Sequence, residues 1–129
     1  MPRTNLDVVR ANSDAFSRRD VEAMLELYAP DAVVIDRRPI GWGEFRGTDA
    51  LRSYYQGLFD NASELHEDLE VVADDGQAIV ASCHLTAVLA GQPETAPVEF
   101  DYALRITLAE GLIAAVDIYD DVGAAGAAT

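Results

Sequence analysis

The sequence predicts an α+β fold in which three N-terminal helices pack in the concave face of a strongly bent, mostly antiparallel sheet. Apolar residues recur at helical spacing between residues 5 and 60. Long alternating segments follow, separated by the turn sequences Asp74-Asp75-Gly76 and Ala109-Glu110-Gly111. A run of helices followed by a run of strands is typical of α+β proteins.

Each predicted helix has a recognisable start. Thr4 or Asn5 can cap the first helix, which ends near residue 18, and Asp20 can cap the second, which is predicted to end at Tyr28. Thr48 can cap the third helix. Its apolar residues fall at i, i+3, i+4, i+7 and i+8: Leu51, Tyr54, Tyr55, Leu58 and Phe59. Such a stripe needs a sheet to cover it.

A strand that finishes on a carboxylate follows the second helix. The β-branched run Val33-Val34-Ile35 favours extended chain, and alternation places Val34 and Asp36 on the same face. Burial there would raise the pKa of Asp36, whereas Arg37 or Arg38 folding back would lower it. Residues 37–47 contain three glycines, a proline and two large aromatic residues, and we predict a loop.

Four long antiparallel strands are predicted at 65–73, 77–90, 98–108 and 112–120. Three-residue turns would set His66 opposite His84 and Leu104 opposite Val116. The interior of the last hairpin would then hold Tyr102, Leu104, Ile106, Val116 and Ile118, with Arg105 outside. The outer face is expected to form a homodimer through Val72, Val80, Val88, Ile113 and Tyr119.

Length and composition predict one domain, residues 1–121, followed by a disordered tail over residues 122–129. The net charge of -14 argues against nucleic acid and anionic membranes as partners. All nine basic residues are arginine, which excludes lysine Schiff-base chemistry. The single Cys83 and the absence of an apolar signal core predict a cytoplasmic protein.

No zinc-ligand spacing, phosphate-binding glycine loop or nucleophile elbow occurs in the sequence, so we expect no metal and no cofactor. Cys83 and His84 are neighbours along one strand and point to opposite faces. They are therefore not expected to act together on one atom.

The chain resembles the ketosteroid-isomerase and SnoaL-like polyketide-cyclase branch of the nuclear-transport-factor-2-like superfamily. The resemblance rests on the segment from Leu27 to Asp36, on Arg46-Gly47-Thr48 before a helix that carries Tyr55, and on residues 111–121. It implies a cone-shaped α+β barrel with an apolar pocket among the helices, and usually a dimer.

The resemblance also implies roles for single residues. Asp36 falls where the isomerases keep the carboxylate that moves a proton, and Tyr28 and Tyr55 fall near the oxyanion site. Asn12 stands in place of the oxyanion-binding tyrosine, and the strand over 98–108 lacks the matching inward acid. These two departures argue against authentic ketosteroid isomerisation.

We therefore expect a pocket for a small hydrophobic ring compound, with Asp36, Tyr55 and Asn12 as the catalytic residues of an isomerase, cyclase or hydrolase. The predicted ligand contacts are Phe16, Tyr28, Trp42, Cys83, Leu85, Tyr102, Leu104, Val116 and Ile118. The alternative is a non-catalytic ligand-binding or dimerisation module. In that case Asp36 pairs with Arg37 or Arg38 at the surface, Trp42 and Phe45 plug the open end, and the tyrosines are core residues.

Overall fold

The computed structural model describes residues 4–39, 41 and 43–127. Three helices and two strands form the first half of the described chain, and four long strands and a short helix form the second half. The elements are α1 (Asn5–Ser17), α2 (Val21–Leu25), β1 (Tyr28–Asp36), β2 (Gly43–Arg46), α3 (Thr48–Asp60), β3 (Ala62–Asp74), β4 (Ala78–Leu89), β5 (Val98–Ala109), β6 (Leu112–Tyr119) and α4 (Val122–Ala127).

The strands form one curled, unclosed sheet in the order β2-β1-β6-β5-β4-β3. All neighbours are antiparallel except β1 and β6, which run parallel. Buried apolar residues of α1, α2 and α3 form one core with the inner face of this sheet. The predicted α+β class is confirmed.

The start of α1 follows its sequence signal. The Thr4 hydroxyl accepts a hydrogen bond from the Asp7 amide, and the Asp7 carboxylate accepts one from the Thr4 amide, both at 3.1 Å. This reciprocal arrangement satisfies two amides at the helix start. The third helix begins after Gly47, which takes the cap position predicted for Thr48 and offers no side-chain hydrogen bond.

The second helix is shorter than predicted. It ends at Leu25, and Tyr28 is the first residue of β1. The cause is the neighbouring strand β6, because the Leu27 carbonyl accepts a 2.8 Å hydrogen bond from Ile113 N–H. Pairing with β6 therefore overrides the helical spacing of Tyr28. The predicted loop over 37–47 also contains β2, which pairs with β1.

Both predicted hairpin registers were wrong by two residues over most of each hairpin, so the residues there stay on their predicted faces except beside the bulges. Leu104 lies opposite Ile118, because the turn has only two residues, Glu110 and Gly111, and a bulge follows at Thr107. Both turn residues have positive φ, 54° and 81°, as a tight hairpin turn requires. Arg105 lies opposite Asp117, outside the core.

The register of the β3–β4 hairpin also differs from the predicted one. Asp74 lies opposite Ile79, and a second shift occurs between Val71 and Ala73. His84 therefore faces Asp68, and His66 faces Thr86. The two histidines share the outer face of the sheet, but they are not directly opposite each other as predicted.

The outer face is partly covered. Where the sequence predicts a disordered tail, residues 122–127 form α4, and Ala125 packs with Val80 and Ala103. Ile113, predicted to lie outside, belongs to the main core, because the register shift at Thr107 and Leu108 skips Ala114 of β6 and pairs Ile113 with Leu108. No helix in the described part of the chain is long and apolar enough to span a membrane.

Candidate active site in the concave face of the sheet

Asp36 ends β1 on the inner face, in line with the core residue Val34. Its side chain is only 1% exposed. Arg38 folds back and grips both carboxylate oxygens, with Nε at 2.9 Å from Oδ1 and Nη2 at 2.7 Å from Oδ2. A bidentate guanidinium favours the charged form of a carboxylate. Asp36 thus has the arginine partner of the alternative hypothesis, but the pair is buried at the carboxylate.

Arg37 turns the other way. Its Nε lies 2.7 Å from Oδ1 of Asp117, at an exposed pair on the outer side of β6. The side chains of the two consecutive arginines therefore lie on opposite faces of the sheet, and of the two only Arg38 contacts Asp36.

Tyr28, Tyr55 and Asn12 come together inside the core. The hydroxyl oxygens of Tyr28 and Tyr55 are 3.0 Å apart. Burial raises the pKa of Tyr28, and the neighbouring Tyr55 hydroxyl and Asn12 amide offset part of that rise. Burial, followed by the charge of Tyr28, also raises the pKa of Tyr55. Both hydroxyls therefore stay protonated and can donate hydrogen bonds.

Asn12 leaves one polar atom without a partner. The residue is 7% exposed, and among the described residues its Oδ1 is a buried oxygen with no hydrogen bond. Buried acceptors of this kind are rare and are often completed by water or a ligand. Asn12 can therefore accept a hydrogen bond from a bound group, in addition to the donor role expected from the sequence.

Glu67 is a carboxylate of this face that the sequence analysis missed. It lies on β3 opposite Leu85, and it accepts hydrogen bonds from the Tyr102 hydroxyl and, at 2.7 Å, from the Ser13 hydroxyl. Burial raises the pKa of Glu67, and the two hydroxyls lower it by less. The available signal was its alternation with Leu65, Leu69 and Val71, which makes it an acid within an apolar stripe.

The remaining predicted contacts that the structure describes lie on the same side of the sheet or pack against it. Cys83 is buried and lies between Leu69 and Tyr102 in the sheet, and burial raises its pKa, so the thiol stays protonated. Phe16 packs against the rings of Tyr55 and Phe59. Leu104, Val116 and Ile118 belong to the core or pack against it. Trp42 lies outside the described residues, and Phe45 stacks on Tyr54 at a ring distance of 4.5 Å.

A groove between α1 and β3 leads to Glu67. Its volume is about 340 Å³. It is lined by Arg10, Ser13, Asp14, Ser17, His66, Glu67, Asp68 and Leu69. Across residues 4–39, 41 and 43–127, no group of three or more His, Cys, Asp or Glu side chains is arranged to hold a metal ion.

Comparison with known proteins identifies the fold family. A sequence profile of the SnoaL-like domain matches residues 9–116. No curated protein is significantly similar to the chain. A proposed polyketide cyclase from Xanthomonas campestris pv. campestris superimposes with a TM-score of 0.75 at 22% identity, covering 93% of this chain and 92% of the other.

Two further solved structures have the same fold. The epoxide hydrolase/cyclase-like enzyme SalBIII, which has a role in pyran ring formation in the polyether salinomycin, gives a TM-score of 0.75 at 19% identity, covering 89% of this chain and 88% of its own. A hypothetical protein with a ketosteroid isomerase-like fold from Catenulispora acidiphila, in complex with trimethylamine, gives a TM-score of 0.76 at 17% identity, covering 88% of this chain and 84% of the other. At these identities the likeness establishes the fold alone.

Proposed function

We propose that this chain, which belongs to the SnoaL-like domain family, is a cofactor-independent enzyme that moves a proton on a small, lipophilic ring compound. The observation that carries the proposal is Asp36, a carboxylate whose side chain is 1% exposed on the concave face and is gripped by Arg38. In this proposal Asp36 removes a proton from carbon next to a carbonyl group, and the reaction is an isomerisation or a ring closure.

The energetics of the Asp36–Arg38 pair favour a functional role. Desolvating two charges is expensive, and replacing a buried ion pair with apolar residues is often neutral or stabilising. Arg38 is itself partly exposed, with 24% of its side chain accessible. A fold that needed only stability at this position would be served as well by apolar side chains, whereas a proton acceptor must stay charged.

The neighbouring polar groups suit a carbonyl substrate. The neutral hydroxyls of Tyr28 and Tyr55 are donors that can polarise an oxygen, and the Asn12 amide lies beside them. Preorganised donors of this kind stabilise the charge that develops on oxygen in the transition state. The named relatives include a proposed polyketide cyclase and an epoxide hydrolase/cyclase-like enzyme, which supports ring closure as the reaction class.

A non-catalytic ligand-binding module is the second candidate. The observation that favours it is again the Asp36–Arg38 pair, because a fork with two good hydrogen bonds also suits a structural clamp that fixes the chain after β1. In that case the carboxylate would hold Arg38 in place and take no proton.

Deuterium exchange distinguishes the two candidates without knowledge of the natural substrate. The protein is incubated with β-tetralone or cyclohexenone in heavy water, and deuterium uptake beside the carbonyl is followed by NMR. We expect uptake above the buffer rate with the wild type, and a loss of about a hundredfold or more with Asp36→Asn. The matched control is Asp117→Asn, which removes an arginine-paired carboxylate from the outer side of the sheet.

Equal uptake by the wild type and Asp36→Asn would remove Asp36 from the mechanism. Ligand binding by the wild type without any uptake, for either ketone, would favour the binding module.

A further inference from the structure

Strand β3 forms one edge of the unclosed sheet. It is 13 residues long, and β4 is its only neighbour among the described strands. The other edge strand, β2, has four residues. An edge strand presents backbone N–H and C=O groups that a further strand can pair with. The long edge of β3 is therefore the larger place where the sheet can be extended.

One hydrogen bond shows which backbone groups of β3 face this edge. The Glu67 amide donates to the Ser17 hydroxyl at 2.9 Å, so it points away from β4. In an antiparallel pair the N–H and C=O of a residue point the same way, and the direction alternates along the strand. The register with β4 is unbroken between Glu64 and Val71. The backbone groups of Leu65, Leu69 and Val71 therefore face the free edge as well.

Open space lies beside this edge. The groove of about 340 Å³ between α1 and β3 is lined on β3 by Glu67 and Leu69, among others. A second groove, of about 430 Å³, is lined by Ser63 and Leu65 of the same strand. Ser17 lines both grooves, so the two adjoin. Together they follow β3 from Ser63 to Leu69, which spans about 20 Å in extended chain.

The two faces of β3 differ in chemistry along this stretch. The inner-face side chains Leu65, Leu69 and Val71 are apolar and pack against the core. The outer-face acids are exposed, and no arginine of the described chain pairs with them: Glu64, Asp68 and Glu70. Side chains on adjacent strands interact with those directly opposite on the same face. A strand that adds to β3 would therefore meet apolar residues on one face and carboxylates on the other.

This charge pattern decides between two possible occupants of the edge. Two copies of β3 paired with each other would bring acidic side chains close together, and like charges opposite each other are destabilising. Acids on an edge strand protect it against pairing with a second copy. They attract a strand that carries basic side chains instead.

We propose that the free edge of β3 binds an extended basic segment of a partner protein as a seventh strand of the sheet. The segment alternates apolar side chains with arginine or lysine. Its backbone pairs with Leu65, Leu69 and Val71, and its cations lie beside the outer-face acids. The site involves neither Asp36 nor its arginine, so the proposal does not depend on the proposed function.

The charge requirement is tested with a short blocked peptide that alternates valine with arginine. Calorimetry should show binding that weakens as salt is added, and the peptide that alternates valine with glutamate should not bind. Glu70→Gln should weaken binding about two- to fivefold, the usual range for one exposed ion pair. The matched control is Asp31→Asn, which removes an exposed acid from β1, with three strands between it and β3. This control should leave the affinity unchanged.

Hydrogen exchange followed by NMR tests the backbone pairing. The arginine peptide should slow exchange at the amides of Leu65, Leu69 and Val71, and leave Asp68 and Glu70 unchanged because they already pair with β4. The same peptide with methylated backbone nitrogens should not bind.

Three results would overturn the proposal. The first is no binding of the arginine peptide, and the second is equal binding of its methylated form, which would show attraction by charge alone. The third is protection of the same amides in the protein by itself, increasing with protein concentration. That result would assign the edge to a second copy of the chain.

Discussion

At the scale of single residues, the concave face contains two carboxyl groups that the protein treats differently. Asp36 accepts hydrogen bonds from the charged Arg38 side chain, whereas Glu67 accepts hydrogen bonds from two hydroxyl groups and lies between apolar neighbours. The difference arises from one local choice, the direction of Arg38, because Arg37 beside it faces Asp117 on the other side of the sheet. Both arginines follow the end of β1, and their contacts place them on opposite faces of the sheet.

Gly41 tests the packing behind Asp36. A Cβ atom at Gly41 would lie 2.5 Å from the Asp36 carbonyl oxygen, 2.8 Å from the Arg38 carbonyl oxygen and 3.0 Å from Asp36 Cγ. Gly41→Ala must therefore move backbone, and we expect it to lower the free energy of unfolding by about 1–3 kcal/mol. Chemical denaturation measures the change.

Gly57→Ala is the matched control, because nothing lies near its added Cβ within α3. It should stabilise the fold by about 0.5–1 kcal/mol through helix propensity. Equal stabilities for the two variants would show that the chain after β1 does not pack against Asp36 as described.

At the scale of the elements, sequence periodicity predicted the features that depend on local residues. It missed the features that depend on packing against neighbouring strands. The bounds of α1, α3 and the four long strands follow from spacing and turn residues. The end of α2 does not, because β6 captures the chain at Leu27. Hairpin registers also escaped prediction, since the bulges after Val71 and Thr107 depend on the curvature of the whole sheet.

The candidate site was predictable to a similar degree. Alternation and the family resemblance placed Asp36, Tyr28, Tyr55 and Asn12 on one side of the sheet. The direction of Arg38 could not be read from two adjacent arginines. Glu67 was readable in principle from its apolar stripe, but its significance depends on hydroxyls that α1 and β5 bring to it.

His84 provides a prediction for the outer face of β4 and β5. Its ring nitrogens contact Asp101 at 2.6 Å and Glu99 at 2.9 Å, and these carboxylates, Asp101 first, raise the pKa of His84 above 6.5. A raised folded-state pKa stabilises the protein fully below the unfolded value, and this stabilisation is lost as the pH rises through the folded value.

The advantage of the wild type over His84→Gln in urea denaturation should therefore be largest below pH 6.5 and shrink above it. The neighbouring-strand control is His66→Gln, which also removes an exposed histidine. Wild-type and His84→Gln stabilities that run parallel across the pH range would contradict the contact.

At the scale of the whole molecule, the net charge affects which partners the protein can bind. A net charge of -14 disfavours polyanions as partners. Self-association is opposed by the same charge, although salt screens it beyond about 8 Å at physiological ionic strength.

We expect a homodimer through the outer face of the sheet. Of the residues predicted for that interface, Val80 and Val88 are buried and Ile113 is in the core, whereas Val72 is 49% exposed and Tyr119 is partly exposed. Sedimentation should give a dimer mass at micromolar concentration in physiological salt, and Val72→Asp should shift it toward monomer. A monomer mass for the wild type in that buffer would rule the dimer out.

The central claim is that a bound ketone meets Asp36 on the concave face of the sheet. A crystal structure with β-tetralone soaked into the Asp36→Asn variant tests this most directly, because the variant keeps the shape and stops turnover. We predict the ketone oxygen within hydrogen-bond distance of the Tyr28 or Tyr55 hydroxyl and the adjacent carbon against residue 36. Ketone bound away from residue 36 and from both hydroxyls would contradict the account.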